Sequence, residues 1–381
     1  MTIAFVTNFY NHHQKFVADE MFKQTNGQYY FISTQPISLE RLNMGWGREE
    51  IPDYVKYTFT NETDKAECQK IIDEADVVIL GSAPKELLIT RLKKNKLTFR
   101  YAERPYKIKP PFYKYPIHFI KNLRNIIRYP NYYLLCASAY TAADYAKVLT
   151  FVNKTYQWGY FPELREYANL NALLDQKCPN SILWAGRFIN LKHPEIPIEI
   201  AQKLREDGYQ FKLNMIGDGP LKPVIQTIIE HENLADHVSL LGSMTPEEVR
   251  AHMEKSQLFL FTSDRCEGWG AVLNESMNSA CAVVANRAIG SVPFLIRDGE
   301  NGLTYTTKDI DRLYENVKKL LDNQLLREKI AYNAYQTIAT MWNAENATKR
   351  FLALCERLLK GEKKIFPYSD GVCSKTEIIK E

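Results

Sequence analysis

Short apolar runs alternate with longer amphipathic stretches along the chain. Ile3 to Thr7, Tyr29 to Thr34, Val77 to Leu80, Thr98 to Ala102 and Tyr133 to Ser138 are rich in β-branched and aromatic residues and end in polar turns, the pattern of buried strands. Between them, Gln14 to Thr25, Thr63 to Asp73, Lys85 to Lys93, Ile117 to Arg128 and Ala142 to Leu149 read as helices. In the fourth of these, Ile117, Ile120, Leu123 and Ile127 share one side. After a polar stretch from Glu163 to Asn180 the alternation resumes. Strands are predicted from Ser181 to Gly186, Phe211 to Ile216, Val238 to Leu241, Gln257 to Ser263 and Ala282 to Ala285. Helices are predicted at Ile196 to Asp207, Leu221 to His231, after the capping box Thr245-Pro246-Glu247-Glu248, at Leu313 to Leu321 and at Ala344 to Lys360. Strands alternating with helices mean parallel sheets with helices on both faces. The polar tail from Gly361 to Glu381 is expected to be held only in part.

A chain of 381 residues carries two or three such domains, and its composition is that of an ordinary soluble protein. The seven cysteines are odd in number and none has CxxC spacing, which fits reduced thiols rather than a disulfide framework. The N-terminus is expected to be a strand and not a signal peptide, and no apolar run approaches the length of a membrane span. A cytoplasmic protein is expected, with any membrane association peripheral. The net charge of +4 is unevenly placed. Lys85 to Arg128 holds thirteen Lys or Arg against Glu86 and Glu103, interleaved with Phe99, Tyr101, Tyr106, Phe112, Tyr113, Tyr115 and Phe119. Basic residues mixed with aromatics suit an anionic lipid surface or an anionic acceptor. No recognised nucleic-acid motif accompanies them, so no nucleic-acid partner is expected.

The chemistry concentrates in one segment. Gln257 to Ser263 is a strand, Glu267-Gly268-Trp269-Gly270 a glycine loop, and Ala271 to Asn278 the opening of a helix. Free amides at a helix start suit an anion. Glu267 and Glu275 lie too near for phosphate to be their target, whereas carboxylates accept hydrogen bonds from vicinal sugar hydroxyls. Phosphate at the amides with hydroxyls at the carboxylates describes a nucleotide-sugar. At the other end of the chain, the loop after the first strand holds Asn11, His12, His13 and Gln14. Polar residues at the carboxyl end of a parallel strand face the ligand crevice, and either histidine suits an acceptor contact or proton transfer. Asp309-Ile310-Asp311 has the spacing of a metal motif but sits at a helix start, where acids are expected for other reasons. No metal site is expected.

The segment from Glu267 to Glu275 resembles the E-x7-E signature of retaining glycosyltransferases of the GT-B fold, especially family 4. The resemblance extends through Val283-Val284-Ala285, Ile289-Gly290-Ser291 and Asp298-Gly299-Glu300-Asn301-Gly302-Leu303. Gly186-Arg187 with Lys192 looks like that family's Gly-Arg…Lys element. The match is strongest from Ser181 to Tyr305. Two departures stand out: Ser291 and Phe294 replace a glycine and an acid, and Glu275-Ser276-Met277-Asn278-Ser279-Ala280-Cys281-Ala282 alters the pattern after the second glutamate.

The resemblance implies an α/β protein of two Rossmann-like domains facing across a cleft. Residues 1–163 would bind the acceptor, 164–180 link the domains, and 181–342 bind the nucleotide-sugar. Residues 343–381 would form a helix crossing back to the first domain plus the tail. The implied activity is retaining transfer of a hexosyl unit from a nucleotide diphosphate sugar to a saccharide or lipid-linked acceptor, in cell-surface polysaccharide biosynthesis. No cofactor and no metal would be needed. Arg187 and Lys192 would hold the pyrophosphate and stabilise its developing charge. Glu275 would accept from the ribose, and Glu267 with the amides of Gly268, Trp269, Gly270 and Ala271 would hold the sugar. Gly186, Gly217, Gly242, Ser243 and Met244 would complete the donor site, with Gly217 allowing backbone approach to the ligand. Acceptor contacts fall to Asn11, His12, His13 and Gln14, with peripheral contact to an anionic inner membrane face through Lys85 to Arg128. Two other readings share these residues: the same fold with a soluble acceptor, and a noncatalytic nucleotide-sugar-binding partner subunit.

Overall fold

The computed structural model describes every residue except 40, 41, 43–46, 48, 49, 109, 110, 124–126, 380 and 381. It divides into two units, Met1–Pro162 with Asn343–Glu381, and Glu163–Trp342. The segment Glu163 to Asn180, expected as a linker, belongs to the second unit and includes the helix Leu170–Asp175.

The first unit is a seven-stranded sheet: β1 (Ile3–Thr7), β2 (Tyr29–Ser33), β3 (Val55–Tyr57), β4 (Val77–Leu80), β5 (Thr98–Ala102), β6 (Tyr132–Cys136) and β7 (Thr155–Gln157). The strands pair in parallel, in the order β3-β2-β1-β4-β5-β6-β7. All residues of β1, β4 and β6 are buried, as an apolar strand covered on both faces should be. The helix Ala344–Leu359 packs into this unit through Phe351, whose ring lies 5.0 Å from Phe99 and 5.4 Å from Trp158. The tail is not loose. Strand β7 lies at the sheet edge, and its open backbone groups are taken by the tail: Gln157 N donates to Ser374 O at 2.8 Å, and Cys373 N to Gln157 O at 2.9 Å.

Two expectations about the first unit change. The helix predicted from Gln14 begins at His12, because Asn11 caps it by accepting from His13 N at 3.0 Å. The helix predicted over Ile117 to Arg128 runs Tyr115–Asn122 and buries none of its residues; Arg124 to Ile126 lie outside the described residues, as does Lys109 of the basic stretch. Nor is the basic stretch all surface. Arg91 is buried and donates to the carbonyls of Ile72, Ala75, Asp76 and Leu97, and burial pushes it down to about 10. Arg104 is buried against Asp144, 3.3 Å away.

The second unit is a six-stranded parallel sheet of β8 (Ser181–Ala185), β9 (Lys212–Ile216), β10 (Val238–Gly242), β11 (Leu258–Phe261), β12 (Ala282–Asn286) and β13 (Leu303–Tyr305). Its order is β10-β9-β8-β11-β12-β13. Its core joins Ile182 and Trp184 of β8 to Leu258 and Leu260 of β11 and to the helix Glu195–Glu206 through Ile198, Ala201 and Leu204. Each aliphatic side chain buried this way contributes about 1.5–3 kcal/mol.

In both sheets the strand order reverses beside the first strand of the unit, between β1 and β4 and between β8 and β11. At such a point two adjacent parallel strands send their following loops in opposite directions and leave a crevice at their carboxyl ends.

Candidate functional site

At the β8/β11 reversal the crevice is flanked by the loop after β8, Gly186 to His193, and the loop after β11, Thr262 to Gly270. These loops hold one another. Asp264 N donates to Leu191 O at 2.9 Å, and Thr262 Oγ1 to Lys192 O at 2.7 Å. The Lys192 ammonium forms a hydrogen-bonded ion pair with the Glu267 carboxylate, and both side chains are only 15% exposed. An ion pair so far withdrawn from water is stronger than a surface pair, and each partner is costly to leave alone.

Arg187 stands on the same loop as Lys192 but is exposed, and among the described residues it pairs with no carboxylate. Glu275 lies in the first turn of the helix Val272–Asn278 and is half-buried. Among the described residues no donor reaches its carboxylate, and burial pushes it up to about 7 despite the pull of Arg250 and Arg165. Thus the structure joins Lys192 to Glu267, leaves Arg187 exposed on the Lys192 loop, and places Glu275 on the helix that follows the Glu267 loop.

Several predicted donor residues have other duties. The Trp269 ring is wholly buried. Its Nε1 donates to Asn274 Oδ1 at 2.9 Å, and its ring lies 5.8 Å from Trp342 and 6.2 Å from Phe294. This tryptophan anchors the glycine loop from below and cannot stack on a ligand. The chain turns around it at Gly270, where φ is +78° and a Cβ would lie 2.3 Å from the Phe261 ring. Phe294, at the position where an acid was expected, completes that aromatic cluster by stacking on Trp342 at 5.8 Å. Ser291 fastens the loop above, donating to Trp269 O at 2.5 Å.

Gly217 also changes meaning. Its φ is +133°, and a Cβ there would sit 2.0 Å from Gly186 O. The close approach that demands glycine is to the neighbouring loop, not to a ligand. Gly186 N bonds to Ile216 O, and Gly217 N to Gly242 O, so the loops after β8, β9 and β10 form one ledge. Ser243 is exposed on it, and Gly242, Met244, Gly186 and Ala271 are half-exposed, while Gly268 is buried. Asp309 caps the helix Ile310–Asp322 by accepting from Arg312 N, and Asp311 pairs with Lys203. Among the described residues no group of His, Cys, Asp and Glu gathers as a metal site.

Sequence reasoning missed the groups around these carboxylates. Arg250 and Asn278 join near Glu275, with Arg250 donating to Asn278 Oδ1 at 2.6 Å and Asn278 Nδ2 donating to Arg165 O at 3.0 Å. Asp264 and His193 bridge the two crevice loops, with His193 Nε2 3.5 Å from Asp264 Oδ2. Their positions immediately after a strand and immediately after Lys192 were the available signal.

In the first unit a cavity of about 450 Å³ opens at the β1/β4 reversal. Thr7 and Asn8 at the end of β1, Ser82 after β4, and Arg100 and Glu103 at the end of β5 line it with His13, Gln14 and Tyr160. Tyr160 donates to Glu103 Oε1 at 2.7 Å, and its ring stacks on His13 at 6.0 Å. His12 is not part of the lining, although its ring lies 4.0 Å from that of His13. Asn11 reaches the cavity, but its amide donates to Gln14 Oε1 and its oxygen caps the helix, so helix geometry occupies it first.

Residues 169–337 match the family model described as glycosyl transferases group 1. An uncharacterized glycosyltransferase of Methanocaldococcus jannaschii is 32% identical over 165 residues, 43% of this chain and 45% of the relative. The alpha-D-kanosaminyltransferase of Streptomyces kanamyceticus is 32% identical over 153 residues, 40% of this chain and 39% of the relative. The chain thus spans less than half the length of these curated relatives. The crystal structure of HepE from Anabaena in complex with UDP superposes with a TM-score of 0.68 at 13% identity, covering 93% of this chain and 100% of that one. The fold is therefore GT-B, two parallel-sheet α/β domains, and the family match supports a glycosyltransferase.

Proposed function

We propose that this chain is a retaining hexosyltransferase of the family 4 type. It would move a sugar from a nucleotide diphosphate to a saccharide or lipid-linked acceptor in polysaccharide biosynthesis. The observation that carries this reading is the crevice at the β8/β11 reversal, where a cation loop and a carboxylate loop are bonded together through Lys192 and Glu267. In the proposed site the donor pyrophosphate lies against Arg187 and Lys192. Arg187 carries a guanidinium that no described residue occupies, suited to two parallel hydrogen bonds to phosphate. As the glycosidic bond breaks, negative charge grows on the leaving phosphate and the two cations stabilise it. Glu267, with Lys192 drawn toward phosphate, accepts from the sugar hydroxyls. Glu275, a carboxyl that no donor reaches among the described residues, accepts from the ribose. The leaving phosphate takes the acceptor proton, so the sugar keeps its anomeric configuration and no divalent metal takes part.

The acceptor belongs in the 450 Å³ cavity of the first unit, with His13 and Gln14 at its wall. A lipid-linked acceptor fits the nearby surface. Ile117 and Ile120 on the helix Tyr115–Asn122 are 63% and 61% exposed beside Lys114 and Lys121. The sequence has no acid from Arg104 to Ala143. Apolar side chains exposed beside lysines suit an anionic bilayer. Relatives that are glycosyltransferases of polysaccharide biosynthesis are consistent with such an acceptor.

A thermal-shift screen against UDP-, GDP- and ADP-sugars tests the donor reading, followed by NMR of the product's anomeric proton. One nucleotide series should raise the melting temperature and yield product with the donor's configuration. Inversion would refute the retaining mechanism, and no shift with any donor would refute the reading itself.

A further inference from the structure

His193 follows Lys192 at the end of the loop after β8, in a backbone conformation that side chains rarely adopt, φ 51° and ψ 59°. It also precedes Pro194, and a residue before proline favours extended backbone instead. A non-glycine residue persists in such a region only when its surroundings hold it there. Here Thr262 Oγ1 donates to the His193 carbonyl at 3.3 Å, and two carboxylates flank the ring. His193 Nδ1 lies 2.7 Å from Glu195 Oε1, and Nε2 lies 3.5 Å from Asp264 Oδ2. A neutral imidazole has one N–H and donates to one partner, whereas an imidazolium donates to both. Glu195 opens the helix after β8, and Asp264 begins the loop after β11. Asp264 is itself built into that loop: Cys266 N donates to its Oδ1 at 2.7 Å, and Glu267 N to its carbonyl at 3.1 Å.

We propose that His193, as an imidazolium shared between Glu195 and Asp264, is a positioning residue that fixes the cation loop of Arg187 and Lys192 against the loop of Glu267. The proposal rests on the donor-site reading above. His193 touches no substrate; it acts through Asp264 and the neighbouring Lys192–Glu267 pair. When Lys192 turns from Glu267 toward phosphate, that ion pair no longer ties the loops, and the histidine bridge is the charged tie left beside the hydrogen bonds from Asp264 N to Leu191 O and from Thr262 Oγ1 to Lys192 O.

The charged groups around His193 are Glu195 at the start of its own helix, Asp264 across the crevice and the Lys192–Glu267 pair beside it. The Tyr305 hydroxyl on β13 also senses Glu195, and burial keeps it protonated. The hydrogen bond to Glu195, then the charges of Glu195 and Asp264, raise His193 above its ordinary value of 6.5. The bridge is therefore complete below pH 6.5 and is lost as pH rises through the raised value.

His193→Gly separates a bridging role from a merely conformational one. Glycine adopts the left-handed backbone at no steric cost, so a residue that only occupies this turn is replaced without loss. The experiment is calorimetric titration of wild type, H193G and D264N at pH 6, 7 and 8.5 with UDP-glucose, GDP-mannose and ADP-glucose. For the sugar that wild type binds, H193G should weaken affinity by about five- to tenfold at pH 6 and flatten the decline with pH. D264N should reproduce both effects, and it judges the bridge if H193G does not fold. Wild-type affinity and pH dependence in either folded variant overturn the proposal. If wild type binds none of the three sugars, the donor reading fails. The bridge is then judged by amide hydrogen exchange of the ligand-free chain: faster exchange at Cys266 and Glu267 in H193G upholds it, and unchanged exchange removes it.

Discussion

Replacing Glu275 with glutamine should make the protein more stable at neutral pH and nearly inactive. The Glu275 carboxyl is half-buried, receives no hydrogen bond from a described residue, and is pushed up from 4.5 to about 7 by burial. The unfolded chain therefore loses this proton near pH 4.5 and the folded chain near pH 7. Between those values the folded state binds more protons, so stability falls as pH rises, and the whole cost stands above pH 7. A rise of that size corresponds to about 3 kcal/mol. Glu275→Gln removes the ionisation and should recover most of it. Urea unfolding of both proteins from pH 4 to pH 8 reads the effect directly. The curves should coincide near pH 4 and separate steadily toward pH 8, with the variant the more stable. Donor hydroxyls favour the charged carboxylate, so nucleotide-sugar binding below pH 7 should release a proton in wild type and not in the variant. Turnover should fall about 100-fold. Parallel stability curves across the range would refute the claim that Glu275 is an unsatisfied, withdrawn acid held for a ligand.

Arg187→Ala should lower kcat/KM by about 100- to 1000-fold and leave the melting temperature unchanged, because the side chain is exposed and unpaired among the described residues. Gly217→Ala should destabilise the second unit by about 3 kcal/mol or more in urea unfolding, since its Cβ would meet Gly186 O at 2.0 Å in a backbone region closed to alanine. Turnover should survive EDTA in full; loss that Mg²⁺ restores would contradict the metal-free mechanism. Ile117→Glu with Ile120→Glu should abolish co-sedimentation with phosphatidylglycerol vesicles without changing stability, as both side chains already face solvent.

Much of the fold was legible because buried parallel strands announce themselves. Val77-Val78-Ile79-Leu80 and Leu258-Phe259-Leu260-Phe261 are short apolar runs ending in polar or glycine loops, and both are wholly buried strands. Strand β3 (Val55–Tyr57) escaped notice because an edge strand of three residues leaves too little pattern. The docked tail escaped because its partner, the open edge of β7, is a tertiary feature. At the candidate site, residue types were readable but their direction was not. Trp269 between two glycines could point either way, and only the aromatic cluster with Phe294 and Trp342 drives its ring inward. Gly217 showed a need for close approach without showing to what. His193 carried no periodicity at all; its meaning comes from Asp264, seventy-one positions later in sequence and one crevice wall away.

The central claim is that a nucleotide diphosphate sugar is held by the two loops at the β8/β11 reversal. Hydrogen exchange of the wild-type chain, with and without saturating donor, tests it most directly. Slowed exchange confined to the segments 186–193, 217–219 and 264–275 is the expected result. Donor binding that protects none of these, or protects only the β1/β4 cavity around His13, would contradict the account.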